Sequence, residues 1–129
     1  MLLRRELWRR GLRYRLHGKH LAGKPDLVFA RDRVVIFCDG DFWHGRKWAQ
    51  RRKRLASGAN ASYWIAKIES NMARDKRITA QLKSEGWLVI RIWESDIAAD
   101  PQRAGSAIST AVLKRRGQRE RATRPSYRV

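Results

Sequence analysis

The sequence predicts an α/β (α+β) domain in which helices cover a small mixed β-sheet. Three features carry that expectation. Two short apolar runs, Asp26-Leu27-Val28-Phe29-Ala30 and Val34-Val35-Ile36-Phe37-Cys38, are separated only by Arg31-Asp32-Arg33, the pattern of a buried β-hairpin. A third run, Trp87-Leu88-Val89-Ile90-Arg91-Ile92-Trp93, also has the character of a strand. Between them Ile65, Ile68, Met72, Ile78 and Leu82 line one side of the segment Ser62 to Glu85, as in an amphipathic helix. With 129 residues there is room for one domain with a modest core, not two.

The remaining elements follow in chain order. Leu2, Leu3, Leu7 and Trp8 fall at helical spacing among arginines, so residues 1–10 read as a helix stopped by Gly11. Leu12-Arg13-Tyr14-Arg15-Leu16-His17 alternates apolar and polar residues like a half-buried strand, and a loop from Gly18 to Pro25 leads into the hairpin. Phe42 to Ala61 reads as irregular and basic, with Ser57-Gly58-Ala59-Asn60 as a loop tip. Gly86 stops the long helix, and Asp100-Pro101 opens a final one that runs to about Arg116, with Asp as cap and Pro in the first turn. The expected organisation is one domain over 1–116 and a basic, flexible tail over 117–129.

Composition narrows the function. Hydrophobic residues make up 43% of the chain and six are tryptophan, which supports a packed globule. No apolar run approaches the roughly 20 residues that span a bilayer, and the start lacks the apolar core of a signal peptide. A soluble, cytoplasmic protein is expected. The single cysteine, Cys38, excludes an internal disulfide framework and any zinc site built on several thiolates. Lys and Arg number 30 against 12 Asp and Glu, a net charge of +18 that points to a polyanion, nucleic acid first. The charge lies in three blocks: residues 1–24, the run Arg46, Lys47, Arg51, Arg52, Lys53 and Arg54, and the stretch from Lys114 onward. Aromatic residues interleave with them, so phosphate contacts and base stacking are available together.

Carboxylates are scarce, and two stand at strand ends beside these basic loops. In the hairpin, Asp26 at the start of one strand lies opposite the 38–40 segment at the end of the other. A carboxylate, a main-chain carbonyl and a second carboxylate, Asp39, then surround one point, a donor set suited to Mg²⁺. His44 follows on the adjoining loop, placed to take a proton from an attacking water. Taken singly, such an Asp is commonly a turn residue and such a His a packing residue; their conjunction with the basic runs singles them out. Cys38 lacks the base and oxyanion donors of a nucleophile and reads as a small apolar residue. Trp87 and Trp93 read as core, whereas Trp43 lies in the basic loop where an unstacking wedge is useful.

Gly11-Leu12-Arg13-Tyr14-Arg15, Gly23-Lys24-Pro25-Asp26-Leu27-Val28-Phe29, Asp39-Gly40-Asp41-Phe42-Trp43-His44-Gly45, Tyr63-Trp64, Asn71-Met72-Ala73-Arg74-Asp75 and Ile92-Trp93-Glu94-Ser95 together resemble the very-short-patch repair endonucleases, over roughly residues 7–96. The resemblance implies a restriction-endonuclease-like fold and Mg²⁺-dependent nicking of double-stranded DNA beside a T:G mismatch. It implies that Asp26 binds the metal, that Cys38 supplies it a main-chain carbonyl, and that His44 activates water. Phe42, Trp43 and Trp64 are implied as wedges into the base stack, while Lys24, Arg46, Lys47, Arg51 and Arg52 are expected to hold phosphates.

The family's structural zinc has Cys and His ligands at positions that here hold Asp41, Arg46, Trp48 and Ser95. A zinc-free variant is therefore expected, in which packing by Trp48 and pairing of Asp41 with a nearby arginine replace the metal. The family's catalytic-region glutamate and DNA-embracing arm fall before the first residue of this sequence. Two alternatives stay open: a catalytically impaired DNA-binding module of the same fold, and a nuclease of a mobile-element or defence system. A monomer is expected, with mismatch repair or a cytosine methyltransferase as the wider association, and no membrane.

Overall fold

A computed structural model describes residues 2–123 of the chain. Along them run α1 (Leu2–Arg9), β1 (Arg15–Leu16), β2 (Leu27–Phe29), β3 (Val34–Asp39), α2 (Trp48–Ala56), α3 (Ala61–Ser84), β4 (Leu88–Trp93), α4 (Glu94–Ala99) and α5 (Pro101–Thr123). The strands form one mixed sheet in the order β1-β2-β3-β4. β1 and β2 pair antiparallel, as do β2 and β3 with Leu27 opposite Ile36, while β3 and β4 are parallel with Val34 opposite Leu88 and Asp39 opposite Trp93.

Alternation along the strands divides the core between the two sheet faces. Leu27, Phe29, Val34 and Ile36 face Leu3 and Leu7 of α1, Ile97 of α4, and Ala104, Ile108 and Val112 of α5. Val28, Val35 and Phe37 face Leu82 of α3 and Trp87, with Ile78 and Leu21 packed at the margin. Trp87 is thus core, as expected, whereas Trp93 is half-buried at the end of the edge strand.

Two helices end through the same device. Gly11 has φ +84° and Gly86 φ +92°, a conformation that costs a side chain steric energy but costs glycine little. At the first, Gly11 N–H donates to Trp8 O and Leu12 N–H to Leu7 O; at the second, Gly86 N–H donates to Lys83 O and Trp87 N–H to Leu82 O. Both are Schellman closures, and each returns an apolar residue, Leu12 or Trp87, to the core beside the helix it leaves. Asp100 acts as the cap that the sequence predicts, its Oδ1 accepting from Arg103 N–H at 3.0 Å.

The structure departs from the sequence expectation in four places. The strand over 12–17 shrinks to Arg15–Leu16, because Leu12 is held back in the α1 closure and Tyr14 turns its hydroxyl to Arg4 O. Within the stretch read as irregular lies α2, built from good helix formers but with no buried residue and hence no apolar period to detect. The short helix α4 follows β4 directly, with Glu94 and Asp96 in its first turn favouring the helix dipole. Finally, α5 continues past Arg116 to Thr123; residues 124–129 of the expected tail lie outside the described residues.

The extra length of α5 is anchored at the hairpin turn. Arg116 donates from Nε and Nη2 to the two oxygens of Asp32 at 3.2 and 3.0 Å, and the Asp32 side chain is only 5% exposed. No described helix is long and apolar enough to cross a membrane. Replacing Arg116 by Ala leaves the buried Asp32 carboxylate without its cation; a loss of about 2 kcal/mol is expected in urea unfolding, since Arg116 itself is partly solvated.

Candidate active site

The strand directions bring the start of β2 and the ends of β3 and β4 to one edge of the sheet, the end where open α/β sheets place their ligands. Asp26 precedes β2, its N–H donating to Ile36 O at 2.9 Å. Its Oδ2 accepts from Cys38 N–H at 2.7 Å, while Oδ1 has no hydrogen-bond partner among the described residues. Asp39 ends β3. Both its oxygens accept from Arg91 Nη1, at 3.0 and 3.2 Å. Arg91 is itself braced on α3: its Nε donates to Thr79 Oγ1 at 2.8 Å and its Nη2 to Asp75 O at 3.3 Å.

His44 lies on the loop after β3, its N–H bonded to Gly40 O. Its Nδ1 meets Asp75 Oδ2 at 2.5 Å and lies 3.8 Å from Asp39 Oδ1. Asp39, His44 and Asp75 offer ligand atoms that all lie within 4.8 Å of one another. Gly45 has φ +75°, and a Cβ there would come within 2.3 Å of Met72 Sδ, so only glycine lets this loop lie flat on α3. Asn71 adds a second tie, donating from Nδ2 to Trp43 O at 3.0 Å.

Asp26, Cys38, Asp39, His44 and Asp75 line one cavity of about 590 Å³, together with the cationic side chains of Lys19, Lys24, Arg74 and Arg91. Carboxylates, a histidine and cationic side chains lining one cavity suit an anionic substrate and a hard cation bound together. Burial raises the Asp39 carboxyl above its ordinary range; Arg91 and His44 oppose that rise, and Asp75 adds to it. Burial also pushes the Cys38 thiol up, to about 12, with the negative charges of Asp26, Glu94 and Asp39 adding to the effect.

Beside the cavity, Phe42, Trp43 and Trp64 form a ring cluster with centroid separations of 5.1 to 6.0 Å. Tyr63 extends it, 5.1 Å from Trp64 and 61% exposed; Trp43 is 46% exposed. The basic block divides by occupation. Lys47 is exposed, Arg51 lies over the Phe42 ring and Arg52 is 3.7 Å from Glu69, whereas Arg46 is bound to Asp41, Ser95 and Asp96. The expected pairing of Asp41 with an arginine is therefore present, at 3.4 Å. Hydrogen bonds from Ser95 and the Arg46 charge outweigh the desolvation of Asp41 and hold its carboxyl below the usual range.

Asp75, Arg91, Arg74 and Lys19 join the site without a role expected from the sequence, although Arg74 and Asp75 stand in the Asn71–Asp75 motif that carries the resemblance. For Asp75 a signal existed. Ile68, Asn71, Asp75, Ile78 and Leu82 follow the three-four spacing of one helix face, and two polar residues interrupt an otherwise apolar stripe.

The family model for the DNA mismatch endonuclease Vsr matches residues 1–50. The Type II nicking enzyme V.HpaIIP of Haemophilus parainfluenzae is 42% identical over 115 residues, 89% of this chain and 80% of that enzyme. The Type II nicking enzyme V.NmeDIP of Neisseria meningitidis serogroup C is 39% identical over 124 residues, 96% of this chain and 82% of its own. The DNA mismatch endonuclease Vsr of Escherichia coli (strain K12) is 34% identical over 84 residues, 65% of this chain and 52% of that protein.

With its folded pKa near 12 against an ordinary value of 9.0, Cys38 stays a neutral thiol at pH 8. Its alkylation by iodoacetamide is expected to be at least about a hundredfold slower in the native chain than in the urea-unfolded chain. The raised pKa also fixes the sign of the pH dependence. Stability contributed by this group is complete below pH 9 and falls as pH rises from 9 toward 12, which alkaline melting curves of the parent and Cys38→Ala will separate.

Proposed function

The chain belongs to the Vsr family of DNA mismatch endonucleases, and from that premise we propose that it nicks one strand of double-stranded DNA at or beside a T:G mismatch. The protein is a DNA endonuclease. The observation that carries the finer reading is the shared cavity: Asp26 and the His44–Asp75 pair line the same space as Lys19, Lys24 and Arg74.

Asp26 differs from the other carboxylates of the cavity in forming no ion pair within 4.0 Å among the described residues; Asp39 has Arg91 and Asp75 has His44. It is therefore the carboxylate most open to an external cation, and with the main-chain carbonyl of Cys38 it offers the hard oxygen donors that Mg²⁺ takes. Asp26 and the Cys38 carbonyl would hold such a cation, which when bound would supply Lewis-acid polarisation of a phosphoryl oxygen. In this reading His44 Nδ1–H donates a hydrogen bond to Asp75 Oδ2, which fixes the ring orientation and leaves Nε2 as the nitrogen that takes a proton from water. Arg91 neutralises Asp39, so a second full negative charge does not crowd the substrate phosphate. Lys19, Lys24 and Arg74 draw that phosphate in. The exposed rings of Trp43 and its neighbours serve as the wedge that opens the base stack, with Lys47, Arg51 and Arg52 along the backbone.

With Mg²⁺ and a T:G duplex, Asp26→Asn is expected to lower the nicking rate by at least about 10³ while DNA affinity stays within about fivefold. Equal nicking of T:G and T:A duplexes by the parent chain would remove the mismatch assignment, and binding without any cleavage would leave only a DNA-binding module. Asp75→Asn removes the anionic acceptor but keeps the shape; the nicking rate is expected to fall about 10- to 100-fold with little change in duplex affinity, as single-turnover kinetics will read.

A further inference from the structure

The loop between β3 and α2 carries Phe42, Trp43, His44 and Gly45, and its two flanks meet away from α3. Asp41 Oδ1 accepts from Ser95 N–H at 3.2 Å, and Asp41 Oδ2 accepts from Ser95 Oγ. Arg46 Nη1 donates to Ser95 Oγ at 2.6 Å and to Asp96 Oδ1 at 3.0 Å, and lies 3.4 Å from Asp41 Oδ2. Arg46 N–H closes the loop on Asp41 O at 3.0 Å, and its guanidinium carbon stands 5.7 Å from the centre of the Trp93 ring. One loop is thereby tied to the junction of β4 and α4.

The positions where the family holds its zinc are here Asp41, Arg46, Trp48 and Ser95, and they do not fit that ion. Structural zinc takes four ligands, almost always thiolate or imidazole. Here the set offers a carboxylate, a hydroxyl, an indole and a guanidinium, of which the last is permanently charged and has no lone pair to give. A fixed cation already stands among the oxygen donors.

We propose that Asp41, Arg46, Ser95 and Asp96 form a metal-independent clip that positions the loop bearing His44, and that Arg46 is a positioning residue rather than a phosphate contact. The clip brackets the four residues that the site needs. On one side Asn71, Met72 and Asp75 of α3 hold the loop at Trp43, Gly45 and His44; on the other the clip holds Asp41 and Arg46 to β4 and α4. His44 therefore lies in a segment restrained at both ends. Without the clip the α3 contacts remain, but the loop is free to swing on one side, and the Nε2 face of His44 no longer keeps one position relative to Asp26. A guanidinium suits this role because it stays charged and its planar group stands beside the Trp93 ring while Nη1 alone meets acceptors from both segments, a placement that a lysine ammonium on a flexible stem holds less well.

The test uses the full chain and the variants Ser95→Ala, Arg46→Lys and Arg46→Ala. Purified parent protein is expected to carry less than a tenth of a zinc per chain and to melt at the same temperature with or without 1,10-phenanthroline. Hydrogen exchange is expected to quicken at least tenfold in peptides spanning residues 40–47 of Ser95→Ala and Arg46→Ala, with the β2–β3 hairpin unchanged. Neither measurement needs activity, so they stand apart from the nuclease reading on which the kinetic arm rests. In that arm kcat is expected to fall at least tenfold in Ser95→Ala and Arg46→Ala with KM within threefold, and Arg46→Lys is expected to restore less than half. The slope of log K for DNA against log salt is expected to be the same in parent and Arg46→Ala. A stoichiometric zinc whose removal lowers the melting temperature overturns the proposal. So does unchanged exchange in Ser95→Ala, or a salt slope shallower by about 0.9 in Arg46→Ala, the loss of one phosphate contact.

Discussion

The parallel pairing of β3 with β4 is the constraint on which the site depends. A parallel neighbour cannot be reached by a tight turn, so the chain must cross over, and α2 and α3 form that crossing. The crossing lays α3 over one face of the sheet and brings Asn71, Met72 and Asp75 against the loop that leaves β3. The register Asp39 opposite Trp93 sets the ends of the two strands level, so that the loop after β3 meets Ser95 and Asp96 just after β4. A slip of one residue in β3 would carry Asp39 to the face of α1 and α5 and send Cys38 toward His44.

Electrostatics then sort the few carboxylates. In a chain with a net charge of +18, a carboxylate near an arginine is the ordinary outcome, and most of the structurally placed acids have one: Glu6 with Arg9 and Arg10, Asp32 with Arg116, Asp39 with Arg91, Asp41 with Arg46. These pairs do different work according to burial. The Asp32 and Asp39 pairs neutralise charge at sheet ends where water is scarce, whereas Asp41 and Arg46 hold two segments together at a wetter surface. Asp26 stands apart, satisfied on one oxygen by a backbone N–H and on the other by nothing in the described chain. That asymmetry sets Asp26 apart from the carboxylates that the arginines neutralise.

Sequence legibility followed the strength of local signals. Both Schellman glycines, the hairpin, the long helix and the Asp100 cap were readable because each depends on a few adjacent residues and a period of two or 3.6. The helix α2 was not, because a helix that buries nothing has no apolar stripe, and β1 is shorter than its alternation suggests because Leu12 and Tyr14 are held by α1 instead of the sheet. At the site, Asp26, Asp39 and His44 stood out as acids and a histidine near strand ends. Arg91 did not, since an arginine inside an apolar strand has no local meaning until its partner across the sheet is known.

By itself the sequence determined the mixed α/β character, the hairpin that joins Asp26 to Cys38, the basic surface and the family membership, since all of these reside in short motifs or in composition. Only the tertiary structure decided which arginine neutralises which carboxylate, that Asp75 is the partner of His44, and that Arg46 faces inward to Ser95 and Asp96 rather than outward with its basic neighbours. The physical reason is range. The His44–Asp75, Arg46–Asp96, Arg91–Asp39 and Arg116–Asp32 pairs join residues 31 to 84 positions apart in the chain, and charge or periodicity along the sequence constrains a side chain only as far as the next turn or two.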